Sequence, residues 1–457
     1  MSICRHIEVG GRVLKAFLTC GLLACSLASG GASAKSLYVS PAGDDKTTYA
    51  ANSISTPWKT IDHGLYNLKA GDTLYIRAGT YVPRYPVWLA TDYDRQTKGG
   101  DPNEVLNSES GTAASPVVIQ SYQGEQVTVD LSGITSGSGV YINLDNKSYW
   151  TFRGLTFVNA LMVFVLAENY QTSYNTFEKL TIAATQGGDN AAPIHLWSGR
   201  ADYTTIRNCT ITGPGQNVHL NTGTIYVNAV NHLKILNNVL SNAPIGIYFK
   251  HRNDGTSAGQ VDVEVAYNYI TNTSRSSLEY NGNFTHIHDN IFGVNTAAAH
   301  FGDANGGAGA DYNTIEHNTF LTGSLDFDSA IEPGDPYPGV VGNTVINNIF
   351  EQPLSILRYT TAINTNVLGK NLYPTANAIL SNNSLVKIVT AAIIGAPSYV
   401  GGSSPGPIGG FQLATGSLGK SAATDGTDLG ANISTILGGT PAVTAPIPMA
   451  PTSVIVQ

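Results

Sequence analysis

Seven four-residue segments carry the side chains that could do chemistry: 140–143, 194–197, 225–228, 247–250, 278–281, 299–302 and, approximately, 325–328. In an extended strand the first and third residues face one way and the second and fourth the other. The first and third are mostly apolar or aromatic. The second and fourth are Tyr141, Asn143, His195, Trp197, Tyr226, Asn228, Tyr248, Lys250, Glu279, Asn281, His300, Asp326 and Asp328. Stacked about 4.8 Å apart, these would form one polar and aromatic stripe. Lys250, His251 and Arg252 make a dense basic cluster there, with Arg275 and Glu279 in the next segment. Such a set suits β-elimination from an acidic sugar: a cation neutralises the carboxylate, and a base removes the neighbouring proton. Two plainer readings stay open. The stripe could be an ordinary wet sheet face, and Asn253-Asp254-Gly255 is a turn signal that would leave Lys250 and Arg252 solvated.

What must position these residues is a repeat. The pattern [Ile/Val/Phe]-x-x-[Leu/Cys/Asn]-x-[Ile/Leu/Phe] starts at Phe152, Phe177, Ile206, Ile235, Val265, Ile287, Ile315 and Val345, with steps of 25, 29, 29, 30, 22, 28 and 30 residues. Its fourth position reads Leu155, Leu180, Cys209, Asn238, Asn268, Asn290, Asn318 and Asn348. Five asparagines in one column can hydrogen-bond to one another up a stack. Self-similarity at this period marks a solenoid, and short alternating segments punctuated by Gly and Asn make its units strands. The expected fold is all-β: a right-handed parallel β-helix, or β-solenoid, with an asparagine ladder and an N-terminal capping helix. A rod of this kind offers a long face to an extended polymer.

Composition agrees. Of 457 residues, 49 are Gly and only 12% are charged, which fits a turn-rich β protein. Arg5, Arg12 and Lys15 precede the apolar run Ala16 to Leu27 and the Ala32-Ser33-Ala34 site, the form of an export signal cleaved after Ala34. Leu22-Leu23-Ala24 before Cys25 is the rival lipoprotein reading. The expected location is therefore secreted or periplasmic, with no membrane span and a monomeric state. Residues 1–34 hold three basic residues and one acidic one, so the remainder has 21 against 31, a charge of −10. That balance argues against a nucleic-acid partner and requires a local basic patch if the partner is an acidic polysaccharide. Cys209 is the one cysteine beyond the signal and occupies a stack position, as a small buried hydrophobe would.

Residues 1–34 are thus assigned to the signal, 35–360 to the β-helix with its cap segment, and 361–457 to a closing segment and tail. Within the cap segment, Thr56 to Ile61 reads as the opening of a short helix that runs to Leu68 and is able to cover the open apolar end, and the polar stretch Asp92 to Gly111 reads as a loop.

Three stretches in this opening carry a family resemblance: Tyr38 to Gly43, Pro57 to Ile61 and Gly71 to Tyr81. They resemble the start of secreted right-handed β-helix polysaccharide lyases, the pectate, alginate and chondroitinase B-type enzymes. The wording also resembles β-helix glycoside hydrolases and surface proteins, so it speaks more for fold than for reaction. The resemblance implies Lys250 as base and Arg275 as the carboxylate or leaving-group contact, with His251 and Tyr248 beside them. Substrate contacts would come from His195, Trp197, Tyr226, Asn228, Arg252, Glu279, Asn281 and His300. Calcium is possible but not implied at Lys250, because residues 245–249 lack the paired carboxylates of those relatives. Asp326, Asp328, Glu332 and Asp335 form an acidic group that could ligate an ion or simply be solvated. A hydrolase would instead use Glu279 with Asp303, or Asp326 with Asp328. A non-catalytic binder would use Trp197 and the tyrosines alone. His286 and His288 fall off the stripe and are read as structural.

Overall fold

The computed structural model describes residues 34–436 except 135–138, 167, 198–199, 251–259, 294–298, 302–309, 323–324, 328–341, 353, 357–365, 377–378, 382–385, 389–391 and 407. The signal segment, the tail beyond 436, His251, Arg252, Asp303, Asp328, Glu332 and Asp335 lie outside the described residues.

The described chain winds through three parallel ladders. One is a sheet of thirteen strands running from Ser36–Val39 to Val386–Ile388. The other two share a sheet of twenty-one strands, joined because Val239–Lys250 and Tyr269–Tyr280 each pass through both. Register places like on like. Phe152, Phe177, Ile206, Ile235, Val265, Ile287, Ile315 and Val345 are consecutive partners across the first sheet, and all are buried. The architecture is the parallel β-helix expected from the repeat.

The asparagine column is a hydrogen-bonded ladder. Asn238 Nδ2 donates to Asn268 Oδ1 (2.9 Å), Asn268 to Asn290 (2.9 Å), Asn290 to Asn318 (3.0 Å), Asn318 to Asn348 (3.1 Å) and Asn348 to Asn371 (3.0 Å). Each side chain bridges a turn whose preceding residue has positive φ, as at Asn237, Tyr267, Asp289, His317 and Asn347. Asn371 extends the column beyond the sequence reading. Strands continue to Ile394, so the coil expected to end near 360 runs on past it.

At the N-terminal end the helix Ile61–Asn67 caps the cylinder, with Thr60 Oγ1 accepting from the His63 amide. The stretches that carried the resemblance build this cap. Trp58 is buried and donates to Thr47 O (2.7 Å), while Asp72 accepts from the Lys35 and Lys69 amides and from the Tyr49 hydroxyl. Gly71, at φ +87°, makes the turn that presents Asp72. The polar stretch after Asp92 is partly helical, over Asp92–Thr97, and not the uninterrupted loop the sequence implied: Thr91 caps the first turn, and Arg95 is pinned by Asp92.

Asp62, in the cap helix, is buried and accepts from the Tyr141 hydroxyl (2.7 Å). Burial pushes its carboxyl up to about 7 despite that hydrogen bond. The neutral acid is the form the fold prefers, so this contribution is fully present below the ordinary aspartate range and is lost as pH rises to about 7. Asp62→Asn is expected to remove that loss and stabilise the chain at neutral pH by up to a few kcal/mol, read from urea unfolding at pH 4 and pH 8. An equal change at both pH values would show that Asp62 does not titrate in this way.

At the other end, Tyr399, Phe411, Leu413, Leu429, Ile433 and Ile436 form a second apolar cluster against the outward residues Tyr267, Ile291, Ile349 and Leu372. The closing segment therefore covers a flank of the coil. Among the described residues no helix is long and apolar enough to cross a membrane.

Candidate functional site

The polar stripe is present as a register column. Asn143, Val165, His195, Tyr226, Tyr248, Glu279, His300 and Asp326 are partners on successive strands, and Asn228 pairs with Lys250 on the neighbouring row. The side chains of His300 and Asp326 lie outside the described set. Two expectations change at its start. The apolar strand Met162–Leu166 inserts a coil that alternation could not reveal. Tyr141 is not on the stripe at all; it belongs to the core. The Val163 and Phe164 amides both reach the Pro193 carbonyl, so the rungs slip there, and Asn143 takes the place in line with His195.

The stripe is also not an open wet face. Asn143, His195, Tyr226, Asn228, Tyr248, Glu279 and Asn281 are buried, whereas Trp197 and Lys250 are partly open. The cover comes from loops of earlier coils that reach forward. Ala192 packs on Tyr226 and Tyr248. Asn190, on the same loop, accepts from Lys250 Nζ (3.4 Å) two coils on. Asn221 donates to Asp189 (2.8 Å) and accepts from Arg275 Nη1 (2.9 Å). Asp189, Asn190 and Asn221 were absent from the sequence reading, because nothing in a polar loop announces how far along the axis it reaches.

Arg275 and Glu279 form an ion pair, Nε to Oε1 at 2.6 Å, and Ser276 Oγ adds a 2.7 Å hydrogen bond to the same carboxylate oxygen. Glu279 is thus engaged by a cation and a hydroxyl, which is not the state of a free hydrolytic acid. Burial drives the Tyr226 phenol far above its ordinary range, so Tyr226 serves as a ring and a hydrogen-bonding group, edge-on to Tyr248 at 5.2 Å. His195 is sandwiched between Trp197 (4.3 Å, 19°) and Tyr226 (4.2 Å). Burial pushes it down to about 3, so it is a neutral imidazole.

His286 and His288 are tied up structurally, as read from the sequence. Their rings stack at 4.0 Å, with Glu316 on His286 (2.7 Å) and Asp289 on His288 (2.9 Å). Burial opposes charge on His288, but Asp289 and Glu264 outweigh it and raise it to about 9. For a metal, residues 245–249 offer no carboxylate, and no group of three His, Cys, Asp or Glu is arranged to hold one among the described residues.

Fold and site together define a parallel β-helix with a roofed polar and aromatic stripe. Comparison with known proteins agrees on the coil. Residues 37–210 match the family model described as the Pel9A-like, right handed beta helix region. Pectate lyase PEL9 of Emericella nidulans is 28% identical over 137 residues, a stretch covering 28% of this chain and 28% of that relative. Among solved structures, pectate lyase Pel9A aligns over 88% of this chain and 96% of its own at 13% identity and TM-score 0.47. A rhamnogalacturonan lyase aligns over 86% and 99%, at 13% identity and TM-score 0.48. PfbA, a surface adhesin of Streptococcus pneumoniae, aligns over 72% and 84%, at 10% identity and TM-score 0.46. At these scores the three structures bear on neither activity nor substrate.

Proposed function

We propose that this protein is an exported polysaccharide lyase that cleaves a uronic-acid-containing polymer by β-elimination at the stripe. The observation that carries the reading is the placement of Lys250, partly open, one rung from the Arg275–Glu279 pair on a largely buried polar face. Lys250 as the free amine takes the C5 proton. The electron pair forms the C4–C5 double bond, the C4–O bond to the next sugar breaks, and the departing oxygen takes a proton from water or from the Lys250 ammonium just formed. Arg275 meets the uronate carboxylate and makes the proton easier to remove. Tyr248 lies two residues before Lys250 on the same face. His251 and Arg252 belong to the same basic cluster in sequence.

The family model matched at the N-terminal coils and the similarity to a pectate lyase support this class of chemistry. The test is ultraviolet absorbance of unsaturated product on polygalacturonate, alginate, glucuronan, hyaluronan and chondroitin sulfate, with calcium and with chelator. New reducing ends without absorbance would replace elimination by hydrolysis. Silence in both assays with retained binding would favour a carbohydrate-binding surface protein.

Arg275 gives a sharper prediction. Arg275→Gln alone would strand the buried Glu279 carboxylate, so the pair Arg275→Gln with Glu279→Gln is the informative variant. Its KM for the acidic substrate is expected to rise about ten- to hundredfold, because a charge-assisted contact to the uronate is lost. An unchanged KM would remove Arg275 from substrate recognition.

A further inference from the structure

Three of the four tryptophans, Trp58, Trp88 and Trp150, are buried. Trp197 is not. It follows the Leu196–Val227 pair and so stands in line with Asn228, whose partner on the next strand is Lys250. The indole lies nearly flat on His195 and tilts against Tyr226 at 5.8 Å. Neither nitrogen of His195 has a hydrogen-bond partner among the described residues, although the ring is about 1% exposed. The contacts this ring makes among the described residues are through its flat faces, to Trp197 and Tyr226. Gln260 Oε1 and Asn281 Oδ1 are likewise buried without a partner among the described residues, and the Gln260 amide nitrogen donates to Lys250 O.

We infer that Trp197, backed by His195 and Tyr226, is the sugar-stacking platform of a subsite two rungs from Lys250, and that an acidic polysaccharide chain lies along the coil axis between them. An indole resting on a second ring keeps its other face for the apolar face of a pyranose. Two rungs are roughly 10 Å, a span bridged by a short oligosaccharide and not by one sugar. This rests on the stripe being the substrate face, as proposed above. Recognition at Trp197 needs no carboxylate, so the charge requirement falls on the Lys250 and Arg275 end alone.

The experiment uses the full exported chain carrying Lys250→Ala, so that ligand is not consumed. Tryptophan emission and calorimetry are followed with hexamers of galacturonate, of guluronate and mannuronate, and of glucuronate, each against its monomer. At least one hexamer is expected to change emission saturably, with its monomer binding at least tenfold more weakly. Adding Trp197→Ala should abolish the emission change and weaken that hexamer about tenfold, while Trp197→Phe retains most of the affinity. A hexamer that binds without altering emission, or binds equally after Trp197→Ala, overturns the subsite even if elimination is observed in the parent protein. An emission response in a protein that shows no elimination supports the subsite and sinks only the lyase reading. Failure of every hexamer to bind overturns both.

Discussion

Lys250→Ala is expected to lower the rate of unsaturated-product formation by about 10²–10⁴-fold, with little change in folding. The effect is large because a base in the transition state is lost. It is local because Lys250 is partly open and its Nζ has, among the described residues, one long contact, to Asn190 at 3.4 Å. The neighbouring rungs are held by backbone pairing of Asn228 with Lys250 and Tyr248 with Glu279, which alanine keeps. Circular dichroism and the unfolding midpoint should therefore match the parent. Binding of uronate oligomers should weaken far less than turnover, which separates loss of the base from loss of the site. Lys250→Arg keeps a long nitrogen-bearing side chain but presents a group that stays protonated, so it should be nearly as inactive. An alanine variant within fivefold of the parent rate would move the base elsewhere on the stripe or end the elimination mechanism.

Asn290→Ala should destabilise the middle of the coil by about 4 kcal/mol or more. Asn290 Oδ1 accepts from the Asn268 amide (3.0 Å) and side chain (2.9 Å), and its Nδ2 donates to Val265 O, His288 O and Asn318 Oδ1. Alanine strands these groups inside the cylinder, where each orphan costs about 1–3 kcal/mol. Asn290→Leu fills the volume, as Leu180 and Leu155 do four and five coils earlier, yet it should fare little better because the Asn268 amide still lacks an acceptor. A solenoid opens locally, so amide exchange at Asn268 and Asn290 is the direct readout, with urea unfolding beside it. Exchange unchanged at Asn268 would show that the ladder orders the turn without stabilising it.

Much of this molecule was legible along the chain. A parallel coil repeats one strand–turn unit, so inward apolar residues and turn asparagines recur at nearly constant spacing, as Phe152 to Val345 and Asn238 to Asn348 do. Asn371 carried the same signal, Leu368-x-x-Asn371-x-Tyr373, with tyrosine replacing the aliphatic sixth residue. The stripe's phase was also readable, because alternation fixes which side chains share a face: His195, Tyr226, Tyr248 and Glu279 fall in one column. The strand Met162–Leu166 was not readable, since a run without alternation has no phase, and the slip beside it sent Tyr141 to Asp62 instead of the stripe.

What the sequence by itself determined is the coil, its ladder, its cap and the set of side chains offered on one face, all consequences of local period and pairing. What only the tertiary structure decided is how open that face is and who meets whom on it. Ala192 over Tyr226 and Tyr248, Asn190 on Lys250 and Asn221 on Arg275 join residues of different coils. Those contacts depend on how far a loop leans along the axis, and a loop free of the repeat carries no periodic signal from which that reach could be read.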